Sequence, residues 1–197
     1  PMDIERQFPG GISQFEAAPE FHPSSIMSLH STSQGGRSSA ARGNRHGKPR
    51  KIVGEVILKG REKFWGVANT HYHHGMQACS NTLNAHCTRA LLRTLAARQG
   101  NYDRDAFLDA YIKLMTADPA LHPDTYAESY HRGFFANLEA GNAPHRCAAV
   151  THDTPSIGGL VSIAAIYLAG RLAGQSIDAL QQQCVDHLYL THPDEVL

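Results

Sequence analysis

Apolar residues recur at every fourth position in the middle of the chain. Over residues 77–99, Leu83, Cys87, Leu91 and Leu95 fall on one side of a helical projection. This spacing is typical of an amphipathic helix that buries one face. Gly100 follows at once and suits the left-handed residue that ends many helices. The pattern therefore predicts a long helix that begins close to Ser80, Asn81 and Thr82.

Three further helices are predicted from the same spacing, each preceded by a residue favoured at a helix N-cap. Asp103 precedes the first, Asp124 precedes a second that ends near Gly141, and Ser176 precedes a last helix that ends before Pro193. These side chains accept hydrogen bonds from the unpaired N–H groups of the first turn. Four helices of this kind indicate a helical bundle.

Two segments depart from this amphipathic pattern. Residues 156–173 are apolar nearly all round, which predicts a central, buried helix whose glycines allow close packing. Residues 52–58 and 63–67 are rich in β-branched and aromatic residues around a glycine-bearing turn, which predicts a β-hairpin. The expected fold is all-α: a compact multi-helix bundle with a small β-hairpin insert.

Length and composition narrow the functional classes. The 197 residues suit one domain, and the formal net charge of zero favours neither nucleic acid nor a membrane as partner. No signal peptide is visible, and the four cysteines lack CxxC spacing, which favours a cytoplasmic protein with free thiols. Residues 37–51 carry six basic residues and no acid, so a mobile basic loop is expected, with a phosphate or nucleic-acid contact as the alternative.

Chemically reactive groups gather in three places. Residues 70–89 hold four histidines and two cysteines, but no partner lies at a zinc-finger spacing. Glu128 and His131 form a Glu-x-x-His pair, although a di-iron bundle needs two such pairs. Asp153 and Thr154 precede the apolar segment, where they serve either as an N-cap or as a polar site at a helix N-terminus.

Four stretches of the chain read HYHHGM, NTLNA, DTYAESYHRGFFAN and SIGGLV, and they begin at residues 71, 81, 124 and 156. In these stretches the chain resembles the ADP-ribosylglycohydrolase family, in the branch that contains the J-type crystallins and selenoprotein J. The resemblance covers roughly residues 8–190, and the order of the motifs also fits. It implies a compact all-α fold, with a first helix of the family missing ahead of Pro1. We therefore expect a single domain over residues 1–197, truncated at its N-terminus.

The resemblance also implies a site. Active members of the family hydrolyse the bond between ADP-ribose and a protein side chain, with two Mg²⁺ ions held by two acidic segments. The first segment falls on residues 79–82, where Ser80 and Asn81 replace both acids, and the second on residues 153–156, where Asp153 remains. One carboxylate of four is left, too few for tight binding of two divalent cations.

The expected site follows from this carry-over. Asp153 is the catalytic candidate, and the residues expected to bind ligand are Asn81, Thr82, Ser156 and Gly158. Weak Mg²⁺ binding is expected at Asp153, Ser156 and Thr82. The leading hypothesis is a protein that binds ADP-ribose, a similar nucleotide-sugar or an ADP-ribosylated protein, with weak or no hydrolysis. An active Mg²⁺-dependent hydrolase and a non-enzymatic, crystallin-like structural protein are the alternatives.

Overall fold

The computed structural model describes residues 5–6, 8–21, 54–61, 63, 67, 69–151 and 154–193. Within these ranges the regular structure is helical. Phe21 and Thr70 form an isolated antiparallel β-bridge. The all-α prediction is confirmed at this level. The predicted basic loop over residues 37–51 lies outside the described residues. No helix in the described ranges is long and apolar enough to cross a membrane.

The helices are numbered here in chain order. A short α1 spans Gly54–Ile57, α2 spans Leu83–Ala97, α3 spans Arg104–Thr116, α4 spans Ser129–Glu139, α5 spans Ile163–Leu172 and α6 spans Ile177–Leu188. Short 3-10 helices at Pro144–Arg146 and Ile157–Ser162 precede α5. Helix α2 packs against α3, α5 and the second 3-10 helix, and α5 packs against α6.

Two predicted caps are confirmed by their hydrogen bonds. The side chain of Asp103 accepts from the N–H of Ala106 at the start of α3. The Ser176 hydroxyl accepts from the N–H of Ala179 at the start of α6. Bonds of this kind satisfy a donor that has no partner within the helix, and each typically contributes about 1 kcal/mol.

The most deeply placed helix is α4. Every residue from Ser129 to Phe135 is buried. The rings of Phe134 and Phe135 lie 5.2 and 5.3 Å from that of Tyr111 on α3. Aromatic pairs at this separation add to the stability that their buried area provides. The core is therefore centred on α4 and the apolar faces of α2 and α3.

The prediction of a central, buried helix over residues 156–173 is wrong. This segment is a 3-10 helix followed by α5, and Leu168 and Leu172 are 62% and 90% exposed. Gly170 lets α5 lie close to α6, because a Cβ there would lie 2.1 Å from the Leu180 side chain. The apolar residues on the opposite side of α5 remain in solvent. Hydropathy alone does not distinguish these two faces.

The first strand of the predicted hairpin is also corrected. Residues 54–57 form the helical turn α1, and residues 52 and 53 lie outside the described residues. Ile57 and Leu58 are both buried although they are adjacent. A strand would send neighbouring side chains to opposite faces, so burial of both at the core favours the helical turn.

Asp124 does not cap α4, contrary to the prediction. The N-cap residue of α4 is Glu128, and the buried Asp124 carboxylate serves α2 instead. Its Oδ2 accepts from the N–H of Leu83, the first residue of α2, at 2.8 Å. Its Oδ1 lies 2.8 Å from Nδ1 of His73 and accepts from the N–H of Tyr126 at 3.1 Å. One carboxylate thus joins its own segment to His73 and Leu83, which are 51 and 41 residues away in sequence.

We expect Asp124→Ala to lower the free energy of unfolding by about 3 kcal/mol, because it leaves buried backbone N–H groups without an acceptor. Asp124→Asn keeps one carbonyl oxygen and should cost less. Urea unfolding followed by circular dichroism measures both. Asp109→Ala, at an exposed position of α3, is the matched control and should stay within about 0.5 kcal/mol of the parent. Equal losses at positions 109 and 124 would contradict the role given to Asp124.

Candidate functional site

A small polar cavity lies where α2, α3, α4 and α6 meet the 3-10 helix Ile157–Ser162. Its volume is about 40 Å³, enough for about two or three water molecules. Its lining combines hydroxyl, amide, thiol and imidazole groups with aromatic rings. The lining residues are Asn84, Cys87, Thr88, Phe107, Tyr111, Tyr130, His131, Gly158, Gly159, Val161, Ser162, His187, Thr191 and His192.

The cavity brings together the two stretches that the sequence singled out. The first contributes Asn84 and Thr88 from the first turns of α2, and the second contributes Gly158 and Gly159. Gly159 lets the 3-10 helix lie close to α6, because a Cβ there would lie 2.7 Å from the Leu188 side chain. The second stretch reaches the cavity through the 3-10 helix and not through a helix that begins at residue 156.

The individual site predictions fare differently. Gly158 lines the cavity, whereas Asn81, Thr82 and Ser156 do not. Asn81 and Thr82 are exposed at the beginning of α2. Asp153, the catalytic candidate, lies outside the described residues. On α2 the cavity is lined by Asn84, Cys87 and Thr88, which follow the predicted residues in sequence.

Asn84 organises one wall of the cavity. Its Oδ1 accepts from the hydroxyl of Tyr130 at 2.8 Å, and its Nδ2 donates to Oε1 of Glu128 at 3.0 Å. An amide fixed at both ends holds one orientation, because donor and acceptor cannot be exchanged without losing both bonds. This pair of bonds ties the beginning of α2 to the beginning of α4.

His131 lies at the bottom of this wall and is 2% exposed. Its Nδ1 is hydrogen-bonded to the hydroxyl of Tyr111, and its Nε2 lies 3.7 Å from Oε2 of Glu128. Burial lowers the pKa of His131 well below its ordinary range and raises that of Tyr111 well above it. Both groups are therefore neutral near pH 7.

His187 forms the opposite wall. Its Nδ1 lies 3.2 Å from the Tyr102 hydroxyl, and its Nε2 lies 2.9 Å from Oγ of Ser162. Burial lowers the pKa of His187 to about 4. A neutral imidazole has one donor and one acceptor, and the two hydroxyl partners satisfy both. The walls thus present hydrogen-bonding groups without a net positive charge.

The histidines of residues 71–74 make contacts between segments of the fold and do not line the cavity. His73 contacts Asp124, and Nδ1 of His74 lies 2.8 Å from the carbonyl oxygen of Glu20. Nδ1 of His71 accepts from the N–H of His73. The described ranges contain no group of three or more histidine, cysteine or acidic residues arranged to hold a metal ion.

The residues described at the predicted metal positions do not fit two Mg²⁺ ions. Ser80, Asn81, Thr82 and Ser156 offer only neutral oxygens, whereas Mg²⁺ in proteins is bound through carboxylates together with waters or phosphate groups. Glu128 and Asp124 are the nearby acids, and each is engaged by the donors named above. Weak binding of one Mg²⁺ through Asp153 stays a prediction.

Several cavity residues were missed by sequence reasoning, chiefly Asn84, Thr88 and His187. Each is a polar residue on the predicted apolar face of a helix: the first two interrupt the leucines of α2, and His187 follows Cys184 by three residues on α6. A polar group on a buried face must find a partner there. That signal would have indicated the cavity.

Comparison with known proteins adds no relative: no family model, curated protein or solved structure matches the chain. The relation to the ADP-ribosylglycohydrolases stays a prediction that rests on the four sequence motifs.

We expect the free energy of unfolding to fall as the pH drops from about 6.5 to about 4. Burial lowers the pKa values of His122 and His187 to about 4, whereas an unfolded histidine titrates near 6.5. The unfolded chain therefore binds more protons than the folded chain in this pH range. The free energy of unfolding reaches its full value, as far as these histidines affect it, only above this range. Each such histidine contributes up to about 1.4 kcal/mol per pH unit. Urea unfolding at a series of pH values measures the slope.

His122→Leu should reduce that slope. Neither ring nitrogen of His122 has a hydrogen bond among the described residues. Leucine therefore removes a buried polar group and leaves no hydrogen-bond partner unsatisfied. His145→Leu, at an exposed position, is the control and should leave the slope unchanged. A slope that is identical in parent and His122→Leu proteins would contradict this account.

Proposed function

We propose that this chain is an ADP-ribosylglycohydrolase-like binding protein that takes ADP-ribose or a similar nucleotide-sugar and hydrolyses it weakly or not at all. One observation carries the proposal: Asn84, Thr88, Gly158 and Gly159, which follow the two segments that resemble the family's metal-binding motifs, line one polar cavity. The loss of the acids at Ser80 and Asn81 accounts for the non-hydrolytic half of the proposal.

The lining favours a neutral, hydroxyl-rich group. Asn84, Thr88 and Ser162 are uncharged, and His131 and His187 are held neutral by burial. Phe107, Tyr111 and Tyr130 add aromatic surface. Sugar recognition uses this combination, because hydroxyls are both donors and acceptors and the ring has apolar faces.

The size of the cavity limits how such a ligand is held. A volume of about 40 Å³ accepts the edge of a sugar and not a whole nucleotide-sugar. The remainder would lie across the mouth, where Val161 is 51% exposed beside Gly158. We place a ribose edge in the cavity and the phosphates outside it, in solvent, where their charge needs no buried counter-ion.

We expect isothermal titration calorimetry with ADP-ribose to show saturable binding that changes little on addition of Mg²⁺. Gly158→Leu should weaken binding by roughly tenfold or more, because the added side chain occupies the cavity mouth. Ala164→Leu makes the same kind of change at an exposed position of α5 and is the matched control.

Hydrolysis is measured on the same preparations with an ADP-ribosylated protein. Absence of heat with ADP-ribose would remove the binding proposal. Mg²⁺-dependent release of ADP-ribose that disappears in Asp153→Ala would instead identify an active hydrolase.

A further inference from the structure

A groove lies at the surface between α2 and α3, apart from the cavity. Its volume is about 780 Å³, and residues of α2 from His86 to Ala97 line it, which corresponds to about 17 Å of helix. Arg93 lines the groove, whereas Asn84 lines the cavity. These two residues are two and a half turns apart, so they lie on opposite sides of α2. A ligand of the groove is therefore distinct from a ligand of the cavity.

One half of the groove carries cations without counter-ions. Arg89 and Arg93 line it from α2, one helical turn apart, and Lys113 lines it from α3. None of the three forms an ion pair with an acid in the part of the chain that the structure describes. Burial lowers the pKa of the neighbouring His86, and the charges of Arg89 and Arg93 act in the same direction. This half of the groove is therefore basic.

The acids that line the groove do not balance these cations. Asp103 and Asp105 are already paired, the first with Nε of Arg98 at 2.9 Å and the second with Nε of Arg104 at 2.8 Å. Asp109 is the one further acid among the described residues of the lining. Three cations against this single carboxylate leave two positive charges uncompensated.

Apolar side chains separate the charged ones. Ala90 and Ala97 line the groove from α2, and Ala106 and Ala110 line it from α3. Side chains of this size let a further helix pack at a short interaxial distance. Leu121 also lines the groove and is 55% exposed. The groove thus combines an apolar floor with a basic edge.

We propose that the groove between α2 and α3 binds an acidic amphipathic helix of a partner protein. Acidic side chains one turn apart on such a helix match Arg89 and Arg93, which have the same spacing. Leucines on the adjoining face of the helix cover Leu121 and the alanine floor. The apolar contacts contribute affinity, and the ion pairs select the partner and fix its register.

A nucleic acid matches the same cations less well. Its phosphates would meet the carboxylate of Asp109, and no phenylalanine, tyrosine or tryptophan among the described residues lines the groove. Binding of single strands depends on aromatic side chains on which bases stack. A peptide helix avoids the carboxylate by placing a neutral or basic residue opposite it. Charge and lining together favour a protein partner.

Fluorescence anisotropy with two synthetic peptides tests the groove. The first is a labelled peptide of four Glu-Leu-Ala-Ala repeats, and the second has lysine in place of each glutamate. The acidic peptide should bind the parent protein at least roughly tenfold more tightly than the basic one. Added salt should weaken this binding, because the ion pairs lie at the surface.

A charge reversal locates the binding. Arg89→Glu combined with Arg93→Glu should weaken the acidic peptide at least roughly tenfold and strengthen the basic one. Arg146→Glu combined with Arg171→Glu reverses two exposed charges outside the groove and is the matched control, which should keep the preference of the parent. Circular dichroism checks that each double variant folds.

The apolar contact is tested at Leu121. Leu121→Ser should weaken the acidic peptide, because it removes an apolar side chain that the peptide covers. Leu172→Ser makes the same change on α5, where the leucine is 90% exposed, and should leave binding unchanged.

Two kinds of result would overturn the docking proposal. One is that the acidic peptide does not bind, or binds no better than the basic peptide. The other is that reversal of Arg89 and Arg93 leaves the preference as it was. If an oligothymidylate binds through these arginines and the acidic peptide does not, the groove belongs to a nucleic acid instead. None of these results depends on whether ADP-ribose binds, because the cavity lies on the other side of α2.

Discussion

The buried carboxylate of Asp124 holds the cavity end of the molecule together. It accepts from the first N–H of α2 and from the N–H of Tyr126, and it contacts His73 in the segment before α2. The Thr125 hydroxyl adds a bond to the carbonyl oxygen of Tyr72. Residues 71–82 and 117–128 contain no long helix, so these side-chain bonds replace the regular backbone ladder. The position of α2 relative to α4, and hence the shape of the cavity, depends on them.

A second constraint is that the polar groups buried around the cavity carry no charge. Three imidazoles of the cavity, those of His131, His187 and His192, are at least nine-tenths buried, and burial lowers the pKa values of His131 and His187. The surrounding hydroxyls and the Asn84 amide satisfy polar atoms without adding charge. Burying uncharged, hydrogen-bonded groups costs far less than burying ions. The cavity thus offers hydrogen-bonding groups without a net positive charge.

Local signals in the sequence were sufficient for some elements and not for others. The caps Asp103 and Ser176 were predicted because the capping bond is made within four residues. Asp124 was assigned to the wrong helix because its partner, Leu83, is 41 residues away. The burial of α5 was misjudged because a pattern apolar on all sides does not show which side meets a neighbour. The lining residues of the cavity depend on tertiary packing, which the spacing of residues along the chain does not reveal.

The beginning of α2 is unusual in one respect that bears on how this chain can change. Thr82 occupies the N-cap position, yet its side chain makes no capping bond, and those of Ser80 and Asn81 make none in the described part of the chain. The helix takes its acceptor from Asp124 instead. The side chains of residues 80–82 are therefore not needed to cap α2, a role that restricts most helix starts to a few residue types. Other residue types can therefore stand at positions 80–82 at little cost to folding.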